Sequence, residues 1–419
     1  MAAQRKRNRK QKKQRRLNEV KDKEVVSVDW AGLPQGILEI VFEQLSLVDC
    51  ISVSNVCKPW RNVFSRELCS WERLGFPSLL MSGQKDRERR ICISMLEKRA
   101  WEMELPEARG KYCWGSFQDW LILVDDVQCY SLNVSLFNPF TRSKIKLPKT
   151  WDFYHKMVLS GRPCLQNCVC MLVHGERREL AFWVPGAQSW HEFRLAGEPF
   201  EDAVFCNGSF YLLSKDDGIF QIETARVSSV LRRDDASTSA AAFDSEIKTE
   251  FHKVIMSEDH VNDGVLRYLV ESRGEVLLVY RQFSTSPGAV LETRNFKVFA
   301  LDVAQMSWKR VENLGNQILF LGKCSSRSFS AAELGISMDS CIYFANDDVS
   351  PWLNEWHSLH LKGMSSRLGL DNSGRKHWGI FRLGNRDNVH FCFRGDRDNW
   401  GPIWVTAPLW WYCNNFRIN

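Results

Sequence analysis

The chain has 419 residues, 44% of them hydrophobic and 25% charged, a balance that excludes wholesale disorder and a collagen-like fibre. Its longest apolar runs, such as Leu121-Ile122-Leu123-Val124, are strand-length, which excludes a membrane-embedded helical body needing ~18–20 apolar residues per span. The net charge of +6 is local: residues 1–16 hold nine basic side chains and no acid, so removing those nine leaves −3 for residues 17–419.

Those nine residues, Arg5, Lys6, Arg7, Arg9, Lys10, Lys12, Lys13, Arg15 and Arg16, open a polar tail spanning 1–27. They form a candidate nuclear localisation signal, an RNA-contacting arm or a solubilising end. No apolar leader follows them, so the expected location is nucleus, cytoplasm or both. A near-neutral body is a poor partner for phosphates, so nucleic acid is expected only through the tail. No membrane partner is expected.

Residues 28–70 carry helical spacing. Pro34 suits a first turn, and Ile37, Leu38, Val41, Phe42 and Leu45 recur as one wide apolar stripe. A second short helix is expected over about 48–56 and a third from Pro59 to about Leu68. Three short helices barely make a core, so the unit is expected to complete itself against a partner. Residues 71–111 read as a mixed connector with a charged stretch from Lys85 to Arg90.

From Tyr112 the pattern changes to short β-type runs parted by Gly, Asn, Asp and Pro. Turn-and-strand units begin at Gly115, Cys168, Gly208, Gly274 and Ser340, spaced as four-stranded propeller blades would be. Phe182–Trp190 and Phe299–Trp308 repeat one layout, a strand end, a polar turn and a Trp. A large β-sandwich would share the short strands, but radial repetition favours the propeller. Residues 112–394 are therefore read as the β-propeller-like domain, with 232–248 a surface loop and 395–419 a segment of unclear assignment. The fold class is α+β multidomain: a small N-terminal helical unit followed by an all-β domain.

Two resemblances attach to these residues. Trp30, Leu33-Pro34, Ile37-Leu38, Ile40, Leu45, Asp49, Val53, Val56-Cys57 and Trp60-Arg61 form an ordered set that resembles the F-box motif. Leu136-Phe137-Asn138-Pro139-Phe140-Thr141-Arg142, then Ile145-Lys146-Leu147-Pro148, resembles the corresponding segment of plant F-box proteins with a KIB-type β-propeller. The first resemblance implies docking on a Skp-type adaptor and, through it, a cullin. The adaptor contacts it implies are Leu33, Pro34, Ile37, Leu38, Val53, Val56, Cys57 and Trp60, some of which must instead hold the helices together. Trp60 is expected to be the main anchor. The chain would then be the substrate-recognition subunit of an SCF-type ubiquitin ligase, holding an unknown protein target. A ligase-independent regulatory role and a nucleic-acid role for the tail are the alternatives.

Catalytic and cofactor signatures are missing. There is no G-x-S-x-G elbow, H-E-x-x-H helix, P-loop or G-x-G-x-x-G turn. The fourteen cysteines include no C-x-x-C pair, and Cys164, Cys168, Cys170 and His174 read as strand and turn before they read as a zinc site. His357 with His360, and the pairs Asp125-Asp126, Asp216-Asp217 and Asp347-Asp348, read as turn residues. No catalytic residue, metal site or cofactor is expected, and the chain is read as a non-enzymatic adaptor.

Overall fold

The computed structural model describes residues 29–45, 53, 56–63, 74–81, 88–94, 99–125, 132–150, 156–174, 179–195, 199–215, 218–231, 250–252, 265–283, 293–322, 326–332, 334, 340–345, 375–383, 387–394 and 403–408. They divide between a small N-terminal unit and a large β unit.

The N-terminal unit opens with a 3-10 turn, Trp30–Gly32, whose free N–H groups at Ala31 and Gly32 are both taken by the Asp29 carboxylate at 3.2 Å. Pro34 then caps α1 (Gln35–Gln44), its carbonyl accepting from Ile37 and Leu38. Residues 58–63 are helical, consistent with a start at Pro59. Of the second expected helix only Val53, which is helical, and Val56 are described, and the rest lies outside the described residues. The basic tail and the 232–248 segment also lie outside them.

The β unit is a six-bladed propeller. Blade 1 takes β1 (Leu74–Met81), β2 (Arg89–Ser94) and β3 (Arg99–Glu104). Blade 2 is β4 (Lys111–Phe117), β5 (Trp120–Asp125), β6 (Val134–Phe137) and β7 (Lys144–Lys146). Blade 3 is β8 (Lys156–Leu159), β9 (Cys170–His174), β10 (Glu179–Trp183) and β11 (His191–Arg194). Blade 4 is β12 (Phe200–Cys206), β13 (Ser209–Ser214), β14 (Ile219–Glu223) and β15 (Glu250–His252), with α2 (Thr224–Leu231) following β14. Blade 5 is β16 (Val265–Ser272), β17 (Glu275–Phe283), β18 (Thr293–Asp302) and β19 (Ser307–Val311).

Blade 6 breaks the pattern. It holds β20 (Gln317–Leu321), β21 (Arg327–Ser330), β22 (Cys341–Phe344), β23 (Arg375–Arg382) and β24 (Asp387–Arg394) in the order β21-β20-β22-β23-β24, with β20 and β22 parallel. A final strand, β25 (Ile403–Pro408), returns to pair antiparallel with β1 and completes blade 1. Strands β4, β8, β12, β16, β21 and β25 are the innermost of their blades, with contacts running from β25 through β4, β8, β12 and β16 to β21.

Two assignments read from the sequence are corrected here. Residues 71–111 are not only a connector, because 74–104 contain three strands of blade 1. Their charge density hides a period of two: along β2 Arg89 and Ile91 are exposed while Arg90, Cys92 and Ser94 are buried, and Arg89 sits opposite Glu104. The segment 395–419 supplies β25, an inner strand whose partner lies more than three hundred residues upstream, so no local pattern announces it.

The core lies in layers between blades. Strand β9 shows how: Cys170 and Leu172 pack toward blade 2, while Met171 and Val173 pack toward blade 4. Both faces of the sheet are covered, so the strand reads as a continuous apolar run. Val227 and Val230 of α2 join the layer between blades 3 and 4. Phe296 meets Phe344 and Phe381 between blades 5 and 6, with ring centroids 5.3 and 5.1 Å apart.

Candidate partner-binding site

The apolar stripe of α1 divides into two faces. Leu38 and Phe42, four residues apart, are 1% and 3% exposed, whereas Ile37, Ile40 and Val41 are 49%, 57% and 38% exposed. A helical rotation of about 100° per residue places Ile37, Ile40 and Val41 on one surface beside the buried row. Trp30 and Val56 are also open to solvent. Isolated exposed apolar residues are ordinary, but five in so short a unit mark a surface suited to a partner.

The eight residues expected at an adaptor therefore fall into groups. Ile37 and Pro34 are exposed, and Val56 strongly so. Leu33, Val53, Cys57 and Trp60 are half-buried, and Leu38 belongs to the buried side. Trp60 has an internal duty, since its Nε1 donates to the Trp30 carbonyl at 2.7 Å and ties the third helical segment to the opening turn. Ile40 and Val41 were absent from the expected set, although the motif and the stripe contain them; spacing alone does not say which flank of a wide stripe meets solvent.

In the β unit, the Asn138-Pro139-Phe140-Thr141 segment is a pinned turn. Asn138 Oδ1 accepts from the N–H groups of Phe140 (3.0 Å) and Thr141 (2.9 Å), and its Nδ2 donates to Asp119 Oδ2 at 2.7 Å. Arg142, at a positive φ of 61°, reaches back to Glu107 and to the Glu104 carbonyl. The tryptophans of the two repeated units sit on hairpins, with Trp190 donating to the Pro148 carbonyl at 2.8 Å and Trp308 buried in β19.

Of the cysteine cluster, Cys164 is exposed while Cys168 and Cys170 are buried. Cys168 and Cys170 are buried in the layer between blades 2 and 3, and no group of three metal-ligating side chains occurs among the described residues. Burial pushes the Cys168 thiol up to about 11 and Cys113 up to about 12, and raises Cys170 well above the usual range. Asp125 accepts an ion pair from Lys111 at 3.1 Å, while Asp126, Asp216-Asp217, Asp347-Asp348, His357 and His360 lie outside the described residues.

On the axis of the ring, Lys156 of β8 forms a buried ion pair with Asp202 of β12. Asp202 also accepts from the N–H groups of Ala203 (2.9 Å) and Leu269 (2.7 Å), so one carboxylate joins blades 3, 4 and 5. Ser116 Oγ of β4 donates to the Trp404 carbonyl of β25, and Trp404 Nε1 donates to Leu321 of β20 at 2.8 Å, joining blades 2, 1 and 6.

Two family models agree with this architecture. Residues 92–382 match the KIB1-4 beta-propeller family model, and residues 30–77 match the F-box-like model. Among curated relatives, F-box protein At3g56470 of Arabidopsis thaliana is 23% identical over 78% of this chain and 84% of its own length. The F-box/kelch-repeat protein At1g57790 of the same plant is 22% identical over 75% and 82%. Among solved structures, TolB from Acinetobacter baumannii aligns over 82% of this chain and 70% of that chain, with 9% identity and a TM-score of 0.41. The propeller match spans well over half of the residues, and the chain belongs to the KIB1-4 beta-propeller family, with an F-box-like segment ahead of the ring.

Proposed function

We propose that this chain is the substrate-recognition subunit of an SCF-type ubiquitin ligase. The N-terminal unit docks on a Skp-type adaptor, the adaptor brings a cullin, and the propeller holds a protein target. The observation that carries this reading is the exposed row Ile37, Ile40 and Val41, which lies within the residues matching the F-box-like model. The chemistry asked of the chain is tethering: holding a target raises the effective concentration of its lysines near a charged conjugating enzyme. No side chain of this protein needs to carry ubiquitin.

Full-length protein mixed with a purified Skp-family adaptor tests the reading. Complex formation at micromolar concentration is expected, and Ile37→Asp with Val41→Asp removes it while the propeller's thermal melt stays in place. A wild-type chain that ignores the adaptor would overturn the assignment. An adaptor complex that never recruits cullin would favour the ligase-independent role.

The basic residues Arg5 to Arg16 are proposed as a nuclear import signal, on the strength of nine cations without an acid. Deleting 1–16 is expected to move a fluorescent fusion from nucleus to cytoplasm without weakening adaptor binding. Salt-dependent RNA binding lost in the same deletion would assign the tail to nucleic acid instead.

A further inference from the structure

Blade 2 gathers cations on one of its faces. The strand register pairs Lys111 with Asp125, Phe137 with Lys144 and Ser135 with Lys146, and cross-strand partners leave a sheet on the same side. Leu121 pairs with Phe137 and Leu123 with Ser135, so Asp125, two residues further along β5, belongs to that side as well. Lys111, Asp125, Ser135, Lys144 and Lys146 therefore share one face. Ile145, between the two lysines of β7, turns the other way into the layer between blades 2 and 3.

The charged ends of these side chains also converge. Lys111 Nζ lies 3.1 Å from Asp125 Oδ1 and within hydrogen-bonding reach of the Lys144 ammonium, and Lys146 adds a third positive charge beside Lys144. Three positive charges against one negative leave +2 among the described residues. Ammonium groups in contact repel, and the nearby Lys111, followed by burial, holds Lys144 below the usual lysine range. An anion placed among them removes that repulsion. Lys144 and Lys146 are exposed, so the charge is open to a partner. Ser135 Oγ, on the same face, is buried and has no hydrogen-bond partner among the described residues.

The position of β7 says what kind of molecule carries the anion. In the order β4-β5-β6-β7 it is the outer strand, with a strand partner on its β6 side only. An open edge accepts an extended peptide through main-chain hydrogen bonds. A phosphorylated serine brings a charge of about −2, the size of the local excess, and three acceptor oxygens.

We propose that this face of blade 2 binds a phosphoserine in an extended segment of the target protein, with Lys111, Lys144 and Lys146 around the phosphate and the edge of β7 along the peptide. The proposal rests on the target-holding role of the propeller, but its test uses neither adaptor nor cullin, so the two readings fail separately.

The test is fluorescence anisotropy of the full-length chain with a labelled Ala-Ala-phosphoserine-Ala-Ala peptide, against the same peptide carrying serine. The phosphopeptide is expected to bind at least about tenfold more tightly, and inorganic phosphate to compete only at about tenfold higher concentration than unlabelled phosphopeptide. Lys144→Gln with Lys146→Gln is expected to weaken the phosphopeptide by about tenfold or more. Lys215→Gln with Lys309→Gln removes the same charge from exposed positions on blades 4 and 5 and is expected to leave binding unchanged. Equal binding of the serine peptide would overturn the proposal, as would a control pair that weakens the phosphopeptide as much as the blade 2 pair. Inorganic phosphate that competes as well as the phosphopeptide would assign the face to the free anion and overturn the protein-borne source. Binding lost on deletion of residues 1–16 would move it to the basic tail and overturn the site.

Discussion

Asn138 concentrates a great deal of local order in one side chain. Replacing it with alanine removes two turn hydrogen bonds and the partner of a carboxylate on Asp119, which is only 6% exposed. A stranded buried acceptor costs about 1–3 kcal/mol, so Asn138→Ala is expected to lower the urea midpoint without altering adaptor binding. Asn138→Asp, which sets one carboxylate against another, is expected to cost more. The cysteines give a chemical check on the layers between blades. Cys164 is exposed, whereas Cys92 and Cys170 are buried with burial holding their thiols protonated. Iodoacetamide at about pH 8 is expected to modify Cys164 in the native chain and to reach the other two only after unfolding, as peptide mass spectrometry would report. At this scale the sequence singled out Asn138 without a duty and placed Leu38 among the expected adaptor contacts, without separating those that touch a partner from those that hold the helices together. Leu38 and Ile37 are neighbours of the same size and class, and only the packed helix shows that one is 1% and the other 49% exposed. Leu38→Ala should therefore destabilise the helical unit by roughly 2–5 kcal/mol, where Ile37→Ala should mainly weaken a complex.

Among the elements, the innermost strands carry the long-range connections. The Lys156–Asp202 pair joins β8 to β12, and Asp202 reaches on to β16. Removing the lysine alone leaves a buried charge and should cost about 3–5 kcal/mol, while the double change to methionine and asparagine should recover most of that loss in thermal unfolding. Strands covered on both faces, such as β5 and β9, were legible because they are unbroken apolar runs between turn residues. The same reasoning passed over β1, which Gly75 and Pro77 interrupt, over β2 and β3, where charged residues alternate with apolar ones, and over β20, whose Ile318-Leu319-Phe320-Leu321 run is as apolar as any. The difficulty with β20 lies in topology, since blade 6 places a later strand, β21, inside it and sets β22 parallel to it. The links between inner strands were illegible for a related reason: Lys156, Asp202 and Leu269 are far apart along the chain and meet only when the ring forms.

For the whole molecule, the two units divide the proposed work, a sticky helix face at one end of the sequence and a ring that holds cargo. The closure of that ring through β25 has a further consequence for synthesis. Blades 2 to 6 can each assemble from chain already emerged, but blade 1 holds only β1, β2 and β3 until Ile403–Pro408 leaves the ribosome. A nascent polypeptide stopped short of that point exposes the bare edge of β1, which invites pairing with another molecule. Released chains truncated after residue 400 should be digested readily by protease and co-sediment with chaperones. The released full-length chain, in which that strand has paired with β1, should resist.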